Sequence, residues 1–420
     1  MSAVTTTLPV DVYQQLLKDF SDMTATSFQG KLNEYAASGV PIVATTDDFF
    51  PELFEALDLP FYFVVREGLV QGFHAGKGPE CVDGYDEFGG SSSLCSLQKA
   101  AAYLLLQGKL VKPSAIIMSS TGCDGQSAVN ELMSNYEPWT AVPKISVDAS
   151  FVKDDTGMEY LGMQWLNCVE FLEKTTGRKL DFDKLKQICL ESNKQSQLCF
   201  DFQELRRTVP SPIRADWGFF AYMMCRWTAC GKPEATAWME RLYNATEDRV
   251  RKGLGIDGVT EKIRYAWFDI LPSWGAKLFP YLEKEFGAVN MMDLYGYCAP
   301  WPLIDTTSLE TIFVSFAKRF LIGNPMARQM FATSAVYATD AVNIAKNFKC
   351  DAFIMPSHVG HKDSAASHRI VKDMLQKIGI PFCVVNCDVF DERYMTPEAV
   401  CQKLATFFEV TGLTDDKTGA

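Results

Sequence analysis

The chain has 420 residues, a length that suits roughly two to three domains with sizeable cores. Hydrophobic residues make up 47% and charged residues 22%, which excludes whole-chain disorder and collagen-like repeats. A net charge of −12 and a pI near 5.0 argue against a nucleic-acid or anionic-membrane partner.

Thirteen cysteines stand against only 4 histidines. An odd cysteine count in a long chain is a poor disulfide scaffold and a good supply of reduced thiols. Residues 1–10 lack a basic segment followed by an apolar run, and no stretch approaches the roughly 18 apolar residues of a membrane span. A cytoplasmic protein is expected.

In chain order, residues 8–37 read as helix, 40–44 as strand, 49–57 as helix and 61–65 as strand. Residues 66–92, rich in Gly, Asp, Glu and Ser, read as a long loop. Helix 96–108, strand 115–118, helix 123–136 and strand 144–147 follow. Residues 155–252 carry four helical patterns (158–174, 182–204, 215–231 and 234–252) and no convincing strand. Alternation then resumes, with strands at 262–268, 289–294, 351–355 and 381–386. Helices are expected at 275–286, 308–319, 327–348, 364–378 and 397–408, with a frayed tail beyond 411. Strand–helix alternation is the signature of parallel sheets with crossover helices. The predicted class is α/β, with two Rossmann-like parallel-sheet domains, 1–154 and 261–420, and a helical segment, 155–260, between them.

Several familiar motifs fail on context. Gly253-Leu-Gly-Ile-Asp-Gly258 fits a dinucleotide fingerprint in letters, but it follows a helix and precedes a strand, the reverse of what such a site needs. No P-loop, GxSxG or HExxH is present, and the cysteines make no zinc-ribbon pairs.

Ligands in open α/β sheets bind beyond the carboxyl ends of strands. Four segments fall there. Ser119-Ser-Thr-Gly-Cys-Asp-Gly125 puts Cys123 where a loop enters a helix, a place that favours thiolate. Gly89-Gly-Ser-Ser-Ser-Leu-Cys-Ser96 does the same for Cys95. Met355-Pro-Ser-His-Val-Gly-His-Lys-Asp-Ser364 carries His358 and His361, with His368 shortly after. Tyr295-Gly-Tyr-Cys-Ala-Pro-Trp301 offers Cys298 among aromatics. The other helical and strand cysteines read as core residues. Asp48 and Glu52, after the first strand, and Ser120 are weak acid–base or pocket candidates, with helix capping as the plainer reading of the two carboxylates. Arg206, Arg207 and Arg214 flank Pro210-Ser-Pro212 as candidate phosphate contacts, with a solvated basic turn as the plainer reading.

Leu94-Cys-Ser-Leu-Gln-Lys99, the strand leading into Ser120-Thr-Gly-Cys-Asp-Gly125, Arg264-Tyr-Ala-Trp-Phe-Asp-Ile-Leu-Pro-Ser-Trp274 and the closing Asp388-Val-Phe-Asp-Glu-Arg393 together resemble the 2-hydroxyacyl-CoA dehydratase / benzoyl-CoA reductase family. The likeness runs over about residues 30–410. It implies an iron–sulfur subunit, similar to the larger dehydratase subunit, in which three dispersed cysteines hold a [4Fe–4S] cluster with one open iron. It also implies removal of water from a 2-hydroxyacyl-CoA through a ketyl radical, a paralogous second subunit, and an ATP-hydrolysing iron–sulfur activator that injects the electron. Cys95 and Cys123 match the first two family cysteines. Where the third is expected, this chain has His361, a departure that makes His361 the candidate third ligand and Cys298 the alternative. Two other readings compete: a reductase of the benzoyl-CoA or double-cubane type, and a cluster-free binding protein on the same fold.

Overall fold

The computed structural model describes residues 11–25, 29–46, 50–74, 77–120, 123–298, 301–330, 332 and 334–415. Along the first third of the chain run α1 (Asp11–Ala25), α2 (Gln29–Ala37), β1 (Val43–Thr45), α3 (Pro51–Ala56), β2 (Phe61–Phe63), α4 (Val64–His74), α5 (Gly78–Glu87), α6 (Ser96–Leu106), β3 (Ala115–Ser119), α7 (Asp124–Asn135) and β4 (Lys144–Val147). These four strands form one sheet in the order β2-β1-β3-β4, every pairing parallel. Strands β1, β2 and β3 are buried throughout, as expected where helices cover both faces of a parallel sheet.

The middle of the chain is helical: α8 (Asp155–Thr176), α9 (Phe182–Leu205), α10 (Asp216–Tyr222) and α11 (Pro233–Arg251), with a π-helical segment, Met223–Thr228, after α10. Capping explains the long pair. Asp154 accepts a bond from the Gly157 N–H and Asp181 from the Lys184 N–H, satisfying donors that a helix N-terminus leaves open. Gly177, at φ +73°, ends α8 in the left-handed conformation.

Then come β5 (Ile263–Trp267), α12 (Gly275–Phe286), β6 (Ala288–Met292), α13 (Leu309–Lys318), a second π segment at Arg319–Gly323, α14 (Ala327–Met330), α15 (Ser334–Asn347), β7 (Ala352–His358), α16 (Lys362–Gln376), β8 (Phe382–Cys387) and α17 (Pro397–Val410). The second sheet is also all parallel, in the order β6-β5-β7-β8. Counted within each sheet, both have the order 2-1-3-4. Each therefore has a switch point between its first and third strands, where connections leave in opposite directions and open a crevice. One apolar core ties the layers together, joining Phe54 and Ile117 to Trp165 of α8 and Phe313 of α13.

The loop expected at 66–92 is instead two helices, α4 and α5. Its glycines serve close packing. A Cβ on Gly68 would stand 2.7 Å from the Leu97 carbonyl of α6, and one on Gly84 would enter the Tyr103 ring. Small residues let α4 and α5 lie directly on α6, and composition alone mistakes that for a turn-rich stretch. The expected helix 327–348 is split into α14 and α15. That expected at 8–37 is α1 and α2, with 26–28 outside the described residues. Among the described residues no helix is long and apolar enough to cross a membrane.

Candidate functional site

Three helices start around one cavity. Cys95 is the N-cap residue of α6, Cys123 of α7 and His361 of α16. Cys123 follows β3 in the first sheet and His361 follows β7 in the second, so each lies beyond a switch-point strand. All three line a pocket of about 240 Å³, with Gln98, Asp124, Gly360 and Lys362. Three helix N-termini bring positive dipole ends to one place, which suits an anionic ligand.

Gly360 makes the approach sterically feasible. Its φ of +82° belongs to the left-handed region, and a Cβ there would lie 2.1 Å from the Cys95 backbone nitrogen. The turn after β7 therefore rests directly on the start of α6. Ion pairs cross the same seam between the two halves: Lys362 with Asp124, and Arg393 with Asp83 at 2.8 Å.

The donors differ in electrostatics. Burial pushes the Cys123 thiol up to about 11, while the Gln126 N–H, 3.4 Å from its Sγ, pulls the other way. The depressed thiol expected at a helix N-terminus is therefore not found: burial outweighs the Gln126 hydrogen bond. Metal binding displaces such a proton, because the ligating form is the thiolate. Burial alone would lower the His361 imidazole, but Cys95 and then Asp269 outweigh it and hold it well above its usual value. His361 Nδ1 lies 3.2 Å from Asp269 Oδ1. An imidazole held that high carries protons on both nitrogens, so Nδ1–H donates to Asp269 and a metal at Nε2 would displace the other proton.

Among the described residues no three His, Cys, Asp or Glu side chains close on a single metal-ion position. A cluster makes a different demand, because each protein donor meets a different iron. Two thiols and an imidazole are suitable donors for iron–sulfur centres. Gln98 Oε1 is buried without a hydrogen-bond partner beside both cavities described here, an orphan of the kind that marks a ligand or water position. The residues present fit an iron–sulfur group.

A larger cavity, about 570 Å³, opens from this pocket, and Leu97, Gln98, Cys123, Tyr295 and Met326 line both. Its walls are mostly aromatic and aliphatic, including Phe63, Phe219, Met223 and Trp227. The π segments shape it: Met223 and Trp227 belong to the first, and Asn324 to Ala327 follow the second. Tyr222 Oη donates to Asn324 Oδ1 at 2.5 Å, tying the two together. π segments recur at functional sites.

Other sequence-derived candidates lie elsewhere. Cys298 packs in an apolar cluster near Cys199. Its backbone N–H donates to Gln203 Oε1 at 2.6 Å, and it lines neither cavity. Glu52 is buried, accepting from Ser192 at 2.6 Å and pairing with Arg319 at 3.3 Å. Ser120 is exposed and donates to Asp148 at 2.6 Å. Asp48 lies outside the described residues. Arg206 is buried and donates to the Met291 carbonyl. Arg207 pairs with Glu204, and Arg214 grips Glu283 at 2.8 and 2.6 Å. His358 bonds the Ile270 carbonyl at 2.9 Å rather than facing the pocket. His368 is half-buried beside Phe382.

Sequence reasoning missed Asp269 and Gly360. Asp269 stands just past β5, the strand beside β7, and strand-end placement was the signal that could have found it. Gly360, between two histidines, gave no local sign of its contact with Cys95.

The family described as 2-hydroxyglutaryl-CoA dehydratase, D-component, matches residues 49–411 of this chain. The chain is also similar to the protein named "(R)-2-hydroxyglutaryl-CoA dehydratase, subunit alpha" of Acidaminococcus fermentans. They are 26% identical over 137 residues, 32% of this chain and 28% of that protein's length. The chain thus matches less than a third of the length of that relative. With the match running from α3 to α17, the chain belongs to the 2-hydroxyglutaryl-CoA dehydratase D-component family.

Proposed function

We propose that this chain is the iron–sulfur subunit of a 2-hydroxyacyl-CoA dehydratase, removing water from a 2-hydroxyacyl-CoA by one-electron chemistry. The observation that carries the reading is the meeting of Cys95, Cys123 and His361 at one pocket, each at a helix N-terminus, drawn from two separate sheets. These three residues would hold a [4Fe–4S] cluster. When bound, that group supplies a redox centre with an open iron able to polarise a substrate oxygen.

The chain's own residues supply the rest. Asp269 engages His361 Nδ1 and leaves Nε2 for the pocket, where a metal would take the place of its proton. The Gln126 N–H donates to Cys123 Sγ, a contact that stabilises negative charge on sulfur and tunes a cluster's potential. The apolar cavity alongside excludes water from the acyl group, which strengthens every charge interaction at the reacting end. A paralogous second subunit and an ATP-hydrolysing activator complete the proposed system, in keeping with the relative's designation as a subunit.

The test is anaerobic purification, iron and acid-labile sulfide quantification and EPR, followed by dehydration assays with activator, ATP and reductant. Stoichiometric iron and sulfide, with water loss from a 2-hydroxyacyl-CoA, are expected. A preparation without iron or sulfide, or one that reduces an acyl-CoA without losing water, overturns the reading.

A further inference from the structure

We infer that the acyl subsite of this chain selects 2-hydroxyacyl groups with an apolar, ring-sized side chain and discriminates against those ending in a second carboxylate. The inference rests on the dehydratase reading above and names the substrate class of that same site. Its ground is the 570 Å³ cavity that opens from the Cys95, Cys123 and His361 pocket.

Phe63, Phe219, Phe220, Met223, Trp227 and Phe279 stand in the wall. Trp227 meets Tyr295 edge-on with ring centroids 5.4 Å apart, and Tyr222 stands 5.2 Å from Tyr295. Such packed aromatics make a rigid, apolar surface with preferred orientations for a further ring.

Among the described residues, the cations lining the cavity are Arg66 and Arg214. Arg66 is buried beside Glu67, with 3.5 Å between Nη2 and Oε1. Arg214 is held by both oxygens of Glu283. Asp216 puts a carboxylate on the wall. A terminal carboxylate entering here would give up water, meet cations that each already face a glutamate and approach Asp216, a costly exchange. An apolar group loses nothing by entering.

A cavity of about 150 Å³ holds a benzene molecule, so this one admits a phenyl or branched alkyl group and still leaves room for the thioester arm. The volume also lies within the usual range for small-molecule sites, about 300–1,000 Å³.

The experiment uses the full-length chain, purified anaerobically with the subunits that accompany it. Calorimetry compares 2-hydroxy-3-phenylpropanoyl-CoA with 2-hydroxyglutaryl-CoA, and coenzyme A alone reports what the shared carrier contributes. The phenyl thioester should bind at least tenfold more tightly. A smaller ratio, or preference for the dicarboxylic thioester, overturns this inference and leaves the dehydratase reading standing. Binding of neither thioester overturns that reading and this inference with it.

Discussion

His361 Nδ1 stands 3.2 Å from Asp269 Oδ1, and both side chains are buried at the carboxyl edge of the second sheet. They belong to the loops after neighbouring parallel strands, β7 and β5. The pairing determines which imidazole nitrogen is left for the pocket.

Asp269→Asn tests that determination. Removing the carboxylate behind a metal-binding histidine costs about 10–100-fold in metal affinity or activity. Iron per chain should fall and the EPR signal should change, while the circular dichroism spectrum stays that of the wild type. His361→Ala should lower iron content further. An unchanged cluster signal in His361→Ala would exclude the histidine as a ligand.

Gly360→Ala tests the seam between the sheets. The new methyl would stand 2.1 Å from Cys95 N on a backbone at φ +82°. Relief needs the turn to move away from α6. A stability loss of about 2–3 kcal/mol is expected from strain together with the clash. Iron content should fall alongside, because Cys95 and His361 separate. Urea unfolding and iron analysis on the same preparation check both.

Glu52→Ala addresses a residue the chain's sequence offers as a catalytic candidate. Glu52 is 2% exposed and partners Arg319, whose guanidinium burial and then Arg226 bring down to about 9. Losing the carboxylate leaves two buried or half-buried guanidinium groups facing each other. Breaking a buried pair costs about 3–5 kcal/mol. Stability should drop by that order in denaturant unfolding while cluster occupancy in the folded fraction is kept. Loss of turnover without loss of stability would instead make Glu52 catalytic.

Asp293 gives the protein a pH-dependent stability. Burial raises its carboxyl from 3.8 to about 6, against the Gly296 N–H and Arg206, which act the other way. The folded state therefore keeps a proton between those two values that the unfolded state releases. Stability from this group is fully present below about pH 4 and lost as pH rises through 6. Between pH 5 and pH 7.5 the loss is about 1.4 kcal/mol, a tenfold change in the folding equilibrium. Asp293→Asn removes this contribution, so the gap in unfolding free energy between variant and wild type should differ by about that amount between pH 5 and pH 7.5. A gap that is the same at both pH values would mean Asp293 titrates normally.

Much of this molecule is legible locally. Alternating apolar strands and amphipathic helices identify the parallel sheets, because burial on both faces leaves its mark on each short run. Cys95 and Cys123 stand out because each precedes a helix after a glycine- and serine-rich turn, and His361 because three of four histidines crowd into one segment. Local reading failed at 66–92, where Gly68 and Gly84 answer to α6 rather than to their own neighbours. It failed again at Cys123, whose thiol burial raises where a helix start suggested lowering.

The sequence by itself determined the α/β class, the ends of most elements and the residue types able to hold a soft metal group, since propensity, capping and periodicity act over a few residues. Only the tertiary structure decided that two cysteines and a histidine from different sheets share one pocket. It also decided that Asp269 stands behind that histidine, that Cys298 and Glu52 lie elsewhere, and that an apolar cavity opens alongside. Those relations depend on how two switch points face each other across Gly360 and Cys95. Contacts between residues so far apart along the chain are set by the packing of whole layers, which no short stretch of sequence encodes.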